Sequence, residues 1–299
     1  VIPLLIDTDP GIDDALALLL AWASKDAAVE VVTTVAGNTP LERGTVNTFR
    51  LLALRRPRPS PRVVAGAARP LVRPLTTAGR YHGEDGLGDL PDWPPVEVTL
   101  APEPAAAAMV EAARRHREQL CLVALGPLTN VALALESDHE AMAGLGRLVA
   151  MGGAVDVPGN VTPSAEFNIH VDPEAAARVL AAGLRLDLVP LDVTRQAILE
   201  RQALESALAR APGPTADRIL AFTRRAFRID GDAMYLHDPL AVAVALDPTL
   251  VEWETLRLEI GPDGATRRAA GPPNCRVARR VDRARFVSVV LERLCPASW

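Results

Sequence analysis

The strongest constraint on the fold is a series of short apolar runs without a polar face, at residues 1–6, 29–35, 63–64, 120–125, 148–151 and 186–191. A strand with one wet side alternates apolar and polar residues, whereas a strand covered on both sides stays apolar almost throughout. Helical stretches at 13–23, 41–54, 103–115, 128–135 and 173–182 separate these runs. The alternation predicts an α/β fold built on an open, mostly parallel, Rossmann-like sheet with helices on both faces. Later residues change character. Positions 202–228 read as mostly helical, 251–260 as an added strand and 283–293 as a closing helix, with these extra C-terminal helices expected over the carboxyl edge of the sheet. Pro- and Gly-rich loops at 56–62, 88–95 and 155–163 lack the length and monotony of interdomain linkers, and no repeat is evident. We therefore expect one domain spanning 1–299.

Composition narrows the function classes. Hydrophobic residues make up 49% of the chain, enough for a large core, and the net charge of −5 argues against a nucleic-acid surface. Three cysteines without CxxC spacing disfavour a disulfide framework or a zinc site and point to a reducing, cytoplasmic setting. There is no apolar run of membrane-spanning length and no signal-peptide pattern at the start, so no membrane association is expected.

The chemistry is concentrated in Asp7-Thr8-Asp9-Pro10-Gly11-Ile12-Asp13-Asp14, where four carboxylates follow the first strand. Like charges this close repel and raise one another's pKa values. Capping and dipole effects at a helix start account for one or two of them, not four. A bound cation removes the conflict. Carboxylate oxygens with no His or Cys among them suit Ca²⁺ or Mg²⁺. The loop is not an EF-hand, because Ile12 and Leu18 stand where that motif needs Gly and Glu.

Four other polar clusters lie near predicted element ends. His237-Asp238-Pro239 precedes an apolar helix; Asp238 suits an N-cap and His237 a proton donor. Asn160, Glu166 and Asn168 offer donors and acceptors suited to sugar hydroxyls. Gly37-Asn38 follows the second strand and also suits a plain turn. Tyr81 to Gly86 reads as a mobile lid or simply a solvated loop.

Together these motifs resemble the inosine-uridine preferring nucleoside hydrolases over nearly the whole chain. The residues carrying the resemblance are the acidic loop through Ala15, Thr33 to Asn38, His82 to Gly88, Gly126-Pro127-Leu128-Thr129-Asn130, Met151-Gly152-Gly153, Ala165 to Asn168, Asp172 to Ala176 and His237-Asp238-Pro239, in the family's order. The resemblance implies calcium-dependent cleavage of ribonucleosides to ribose and free base, in purine or pyrimidine salvage. It implies that Asp9, Asp14 and Asp238 hold the calcium through side chains and Leu125 through its carbonyl. Asp9 is similar to the general base that activates the metal-held water, and Asp13 to a group binding a ribose hydroxyl. Asn38, Asn160, Glu166 and Asn168 match ribose-binding positions, with Met151 also at the substrate. His82 matches a base-pocket histidine, and His237 a proton donor to the leaving base. A homodimer or homotetramer is implied as well.

The sequence departs from the pattern where some relatives place a tyrosine on the helix before the His-Asp pair. Residues 222–230 contain none, which leaves Phe227 to stack on the base and Tyr235 as the nearby phenol. Two rivals remain at this point. A haloacid dehalogenase-type phosphatase would need a well-placed later lysine, yet Lys25 is the only one in the chain. A non-catalytic, calcium-dependent riboside-binding protein would not need Asp9 as a base.

Overall fold

The computed structural model describes residues 1–295. The chain begins with β1 (Ile2–Thr8), α1 (Ile12–Ala23), β2 (Ala27–Thr34), α2 (Leu41–Arg55), β3 (Arg62–Ala65), α3 (Gly79–His82) and α4 (Ala105–His116). It continues through β4 (Cys121–Ala124), α5 (Thr129–Ser137), α6 (His139–Ala143), β5 (Arg147–Met151), α7 (Phe167–Val171), α8 (Pro173–Ala181), β6 (Leu186–Val189) and α9 (Leu191–Thr194). Next come β7 (Ile198–Glu200), α10 (Arg201–Leu208), α11 (Pro214–Asp230), β8 (Ala233–Tyr235) and α12 (His237–Leu246). The last elements are β9 (Val251–Leu256), β10 (Leu258–Ile260), β11 (Thr266–Arg268), β12 (Cys275–Val281) and α13 (Arg283–Leu294).

Eight strands form the main sheet in the order β3-β2-β1-β4-β5-β6-β12-β9. Neighbours run parallel up to β12, which then pairs antiparallel with β9 at the edge. Alternate side chains feed two cores, which is why the runs read apolar at nearly every position. Leu4, Ile6 and Val123 pack with α1, α12 and α13, while Leu5, Leu122 and Ala124 pack with α4, α5 and α8 on the opposite face. Helix α1 is buried at every position from Ile12 to Ala21. It has neighbours in α2, α11, α12 and α13, as a helix apolar all round requires.

The structure refines the C-terminal part. The expected strand at 251–260 divides at Arg257: β9 joins the main sheet and β10 pairs with β11. The helical stretch at 202–228 breaks between α10 and α11, where Pro212 and Gly213 interrupt it. Strand β12 went unread because three arginines dilute its apolar signal; one of them, Arg276, forks onto the buried Asp187 of β6 at 2.6 and 2.8 Å. The end of α11 reaches the carboxyl edge of the sheet, while α13 lies along one face against α1.

Candidate active site

Strand β1 lies between β2 and β4, where the chain order reverses direction across the sheet. In such sheets the crevice outside the carboxyl ends at this point is the ligand site. Here β1 ends at Thr8, and Pro10, which has no N–H, cannot continue the ladder. The following segments of β2 and β4 stay level with it, as Val35 N–H donates to Thr8 O at 3.0 Å and Leu125 N–H to Asp7 O at 2.8 Å. Asp9 therefore sits between the Gly37-Asn38 and Leu125-Gly126 turns. A Cβ on Gly37 would lie 2.1 Å from Asp9 Oδ2, and one on Gly126 would lie 2.6 Å from Asp9 Oδ1. Only glycine leaves room for the carboxylate.

The start of α1 organises the acids. Asp14 Oδ2 accepts from the Gly11 N–H and from Asn38 Nδ2, both at 2.9 Å, and its Oδ1 accepts from Thr8 Oγ1 at 2.6 Å. His82 Nδ1 accepts the Ile12 N–H at 3.0 Å, satisfying another free donor of the helix start. Asp9 Oδ2 accepts the Asn38 N–H at 2.6 Å, whereas Asp9 Oδ1 is buried with no partner. Asp238 arrives from the first turn of α12. One carboxylate oxygen from each of Asp13, Asp14 and Asp238 lies within 4.8 Å of the others.

Burial, reinforced by neighbouring carboxylates, pushes the Asp9 and Asp238 carboxyls well above the usual range and Asp13 to about 7. Among the described residues no Arg or Lys forms a salt bridge with any of these four acids. A buried all-oxygen donor set with an orphaned carboxylate oxygen fits a hard divalent cation. Asp13 joins the tight group geometrically, although the resemblance gave it to ribose, whereas Asp9, expected as a ligand, lies beside the group and not in it. Asp7 does not join it: its Oδ1 accepts from Thr33 Oγ1 at 2.6 Å and Asn130 Nδ2 at 2.8 Å, bracing β1 to β2 and α5.

Above the acids lies a cavity of ≈ 340 Å³ whose lining includes Asp13, Asn38, His82, Leu125, Met151, Asn160, Glu166, Asn168, His237 and Asp238. Glu166 caps α7 and is held by the N–H groups of Asn168, Gly153 and Ile169 at 2.9, 2.9 and 3.2 Å. Asn168 Nδ2 donates to the carbonyls of Leu125 at 2.6 Å and Met151 at 3.1 Å. A carbonyl has two lone pairs, so this bond leaves Leu125 able to meet a second partner. Asn160 Oδ1 accepts the Phe167 N–H at 2.9 Å. His237 Nδ1 is bonded to Thr194 Oγ1 at 2.7 Å. Burial, helped by the Arg195 charge, lowers His237 to about 4, and burial lowers His82 to about 4.

Among the expected substrate-binding residues one stands elsewhere. Phe227 does not line the cavity; it is 2% exposed and packs in the core beneath α11. The aromatic rings at the cavity are Tyr81, Phe167 and Tyr235. Sequence reasoning also missed Thr194, Arg195 and Asp230, which carry no motif of their own.

A model of the inosine-uridine preferring nucleoside hydrolases matches residues 4–288. The chain belongs to the inosine-uridine preferring nucleoside hydrolase family. It is 38% identical to the pyrimidine-specific ribonucleoside hydrolase RihA of Salmonella agona (strain SL483), covering 98% of each chain. Among solved structures it superposes on the plant nucleoside hydrolase PpNRh1 with a TM-score of 0.91 at 32% identity, covering 99% of both chains. The purine-preferring ribonucleoside hydrolase from Gardnerella vaginalis gives 0.93 at 28% identity, over 99% of this chain and 98% of that one. The α/β fold and the enzyme class, an N-ribohydrolase, stand with this family; the phosphatase and non-catalytic readings are not favoured. Among the described residues no helix is long and apolar enough to cross a membrane.

Proposed function

We propose that this chain hydrolyses the N-glycosidic bond of ribonucleosides with the help of calcium, as a salvage enzyme acting as a homodimer or homotetramer. One observation carries the reading: Asp13, Asp14 and Asp238 bring carboxylate oxygens within 4.8 Å of one another beneath a cavity lined with amides and carboxylates, and the neighbouring Asp9 keeps a buried, unpartnered oxygen.

Asp9, Asp14, Asp238 and the Leu125 carbonyl would hold the ion. When bound, calcium would supply positive charge that offsets the acids and would lower the pKa of a nearby water. Asp9 takes the proton of the attacking water at Oδ1, the oxygen that no protein group occupies. Asn38 keeps Asp9 and Asp14 in register by donating to both. Asp13, Asn160, Glu166 and Asn168 orient the ribose, and Met151 closes the cavity wall beside it. Attack forms the bond to the anomeric carbon as the C–N bond breaks and its electron pair leaves with the base. Positive charge builds on the sugar on the way, and the buried Glu166 and Asp13 favour that cation over the neutral substrate. His237 serves the leaving base. Burial keeps its ring neutral at rest, so its contribution begins as a hydrogen bond from Nε2 that strengthens as charge collects on the base.

The test is a reducing-sugar assay on inosine, uridine, cytidine and adenosine, with and without chelator. We expect ribose release that chelation removes and added calcium restores. No release from any of the four, or phosphate release from a phosphorylated sugar instead, would overturn the proposal.

A further inference from the structure

We propose that Tyr81 and Asp230 form an edge of hydrogen-bond acceptors that selects ribonucleosides whose base carries an exocyclic amino group over their oxo counterparts: cytidine over uridine, and adenosine over inosine. This inference rests on the ribonucleoside hydrolase reading above and assigns the base preference within it.

Both side chains line the cavity, and the Tyr81 hydroxyl donates to Asp230 Oδ2 at 2.5 Å. That length is typical of a charge-assisted O–H···O⁻ bond, which is stronger than a neutral one. The phenol proton is thus committed to the carboxylate and not free to meet a carbonyl on the base. What remains is acceptor capacity: the second oxygen, Asp230 Oδ1, has no partner among the described residues, and the phenol oxygen keeps a lone pair.

The pair is held in place from behind. Arg225 donates to the carbonyls of Tyr81 at 3.0 Å, Arg80 at 3.0 Å and Gly79 at 3.3 Å, tying the Tyr81 segment to α11. Asp230 is also badly placed for helix stability. It is the last residue of α11, before the left-handed Gly231, where the helix dipole disfavours negative charge. Among the described residues no Arg or Lys forms a salt bridge with it. Among the described residues the only hydrogen-bond partner of its carboxylate is a neutral phenol at the cavity wall.

An amino group presents N–H donors to these two oxygens. An oxo group at the same ring position presents lone pairs to lone pairs, and the oxo base offers only its single ring N–H one position away, so at most one of the two oxygens is satisfied. Sites built to hydrogen-bond a substrate group reject the mismatched analogue strongly, so a preference of about tenfold or more is expected.

The experiment compares kcat/KM for cytidine against uridine, and for adenosine against inosine, in the calcium-loaded protein, in Asp230→Asn and in Tyr81→Phe. The wild type should favour the amino member of each pair by about tenfold. Asp230→Asn adds a donor and should reduce both ratios about tenfold. Tyr81→Phe should keep the amino preference, because Asp230 still only accepts. Each ratio compares two substrates on one preparation, so partial misfolding cancels. Wild-type ratios at or below one, ratios unmoved in Asp230→Asn, or a preference abolished by Tyr81→Phe would overturn the inference. A wild type that hydrolyses none of the four would instead overturn the proposed function.

Discussion

The main-chain N–H of Asn38 donates to Asp9 Oδ2 at 2.6 Å, while Asp9 Oδ1 stays buried without a partner among the described residues. This arrangement makes Asp9 a fixed acceptor with one face reserved. Asp9→Ala should lower kcat by about 10²–10⁴-fold, the usual contribution of a general base, and weaken calcium binding as well. Turnover assays beside calorimetric titration with calcium check both effects. Wild-type turnover in the variant would remove Asp9 from the reaction.

The two glycines against Asp9 provide a subtler probe. Gly126→Ala keeps every acid but forces the carboxylate aside, since the added carbon would sit 2.6 Å from Oδ1. A displacement near 1 Å at a reacting group costs about 10²-fold in rate. We expect that loss in kcat with a modest fall in melting temperature, because the carbon would also meet Val35 Cγ1 at 2.9 Å, measured by steady-state kinetics beside differential scanning fluorimetry.

Calcium and pH should be linked. Burial raises Asp13 to about 7 and pushes Asp9 and Asp238 well up, against an unfolded value of about 4. The folded, calcium-free protein therefore holds protons that the unfolded chain has released. Its stability is fullest below about pH 4 for these groups and is lost as pH rises towards 7. On the proposed reading calcium binds the ionised acids, so the rise in melting temperature on adding it should be larger at pH 8 than at pH 5.5. Equal rises at the two pH values would count against the acids as its ligands.

His237→Ala should slow natural nucleosides by about 10²–10⁴-fold. An activated aryl riboside, whose leaving group needs no proton, should lose far less. Equal losses on both substrates would reject a role at the leaving base. Thr194→Val removes the 2.7 Å partner of His237 Nδ1 and should shift the same comparison in the same direction, more weakly.

Core truncation gives a prediction of stability alone. Leu16 on α1 is fully buried between the sheet and the helices over it. Leu16→Ala should cost about 2–5 kcal/mol, read from denaturant unfolding.

The parallel sheet was legible because each strand carries its own local signal: a strand covered on both faces is apolar whatever its partners are. The acidic loop was legible for the same reason, with Asp9, Asp13 and Asp14 close in sequence. Phe227 was misplaced because naming a helix does not say which side faces the cavity. Its register could have said so, since Ile219, Phe222, Thr223, Ala226 and Phe227 form the buried stripe of α11. The Tyr81–Asp230 and Thr194–His237 bonds join residues 149 and 43 positions apart. Neither leaves a mark in local sequence, so only the folded chain brings them together.

Asp14 and Asp238 stand far apart in the chain, yet their carboxylates converge on one small volume. During synthesis the first strand and its acids leave the ribosome long before their distant partner exists. The centre thus doubles as a sign of completed folding: a polypeptide that stops short of Asp238 has the acidic loop but lacks the last acid of the group. On the proposed calcium reading, such incomplete chains should be both inert and blind to calcium, and the finished molecule should acquire activity and ion-dependent rigidity in the same closing step.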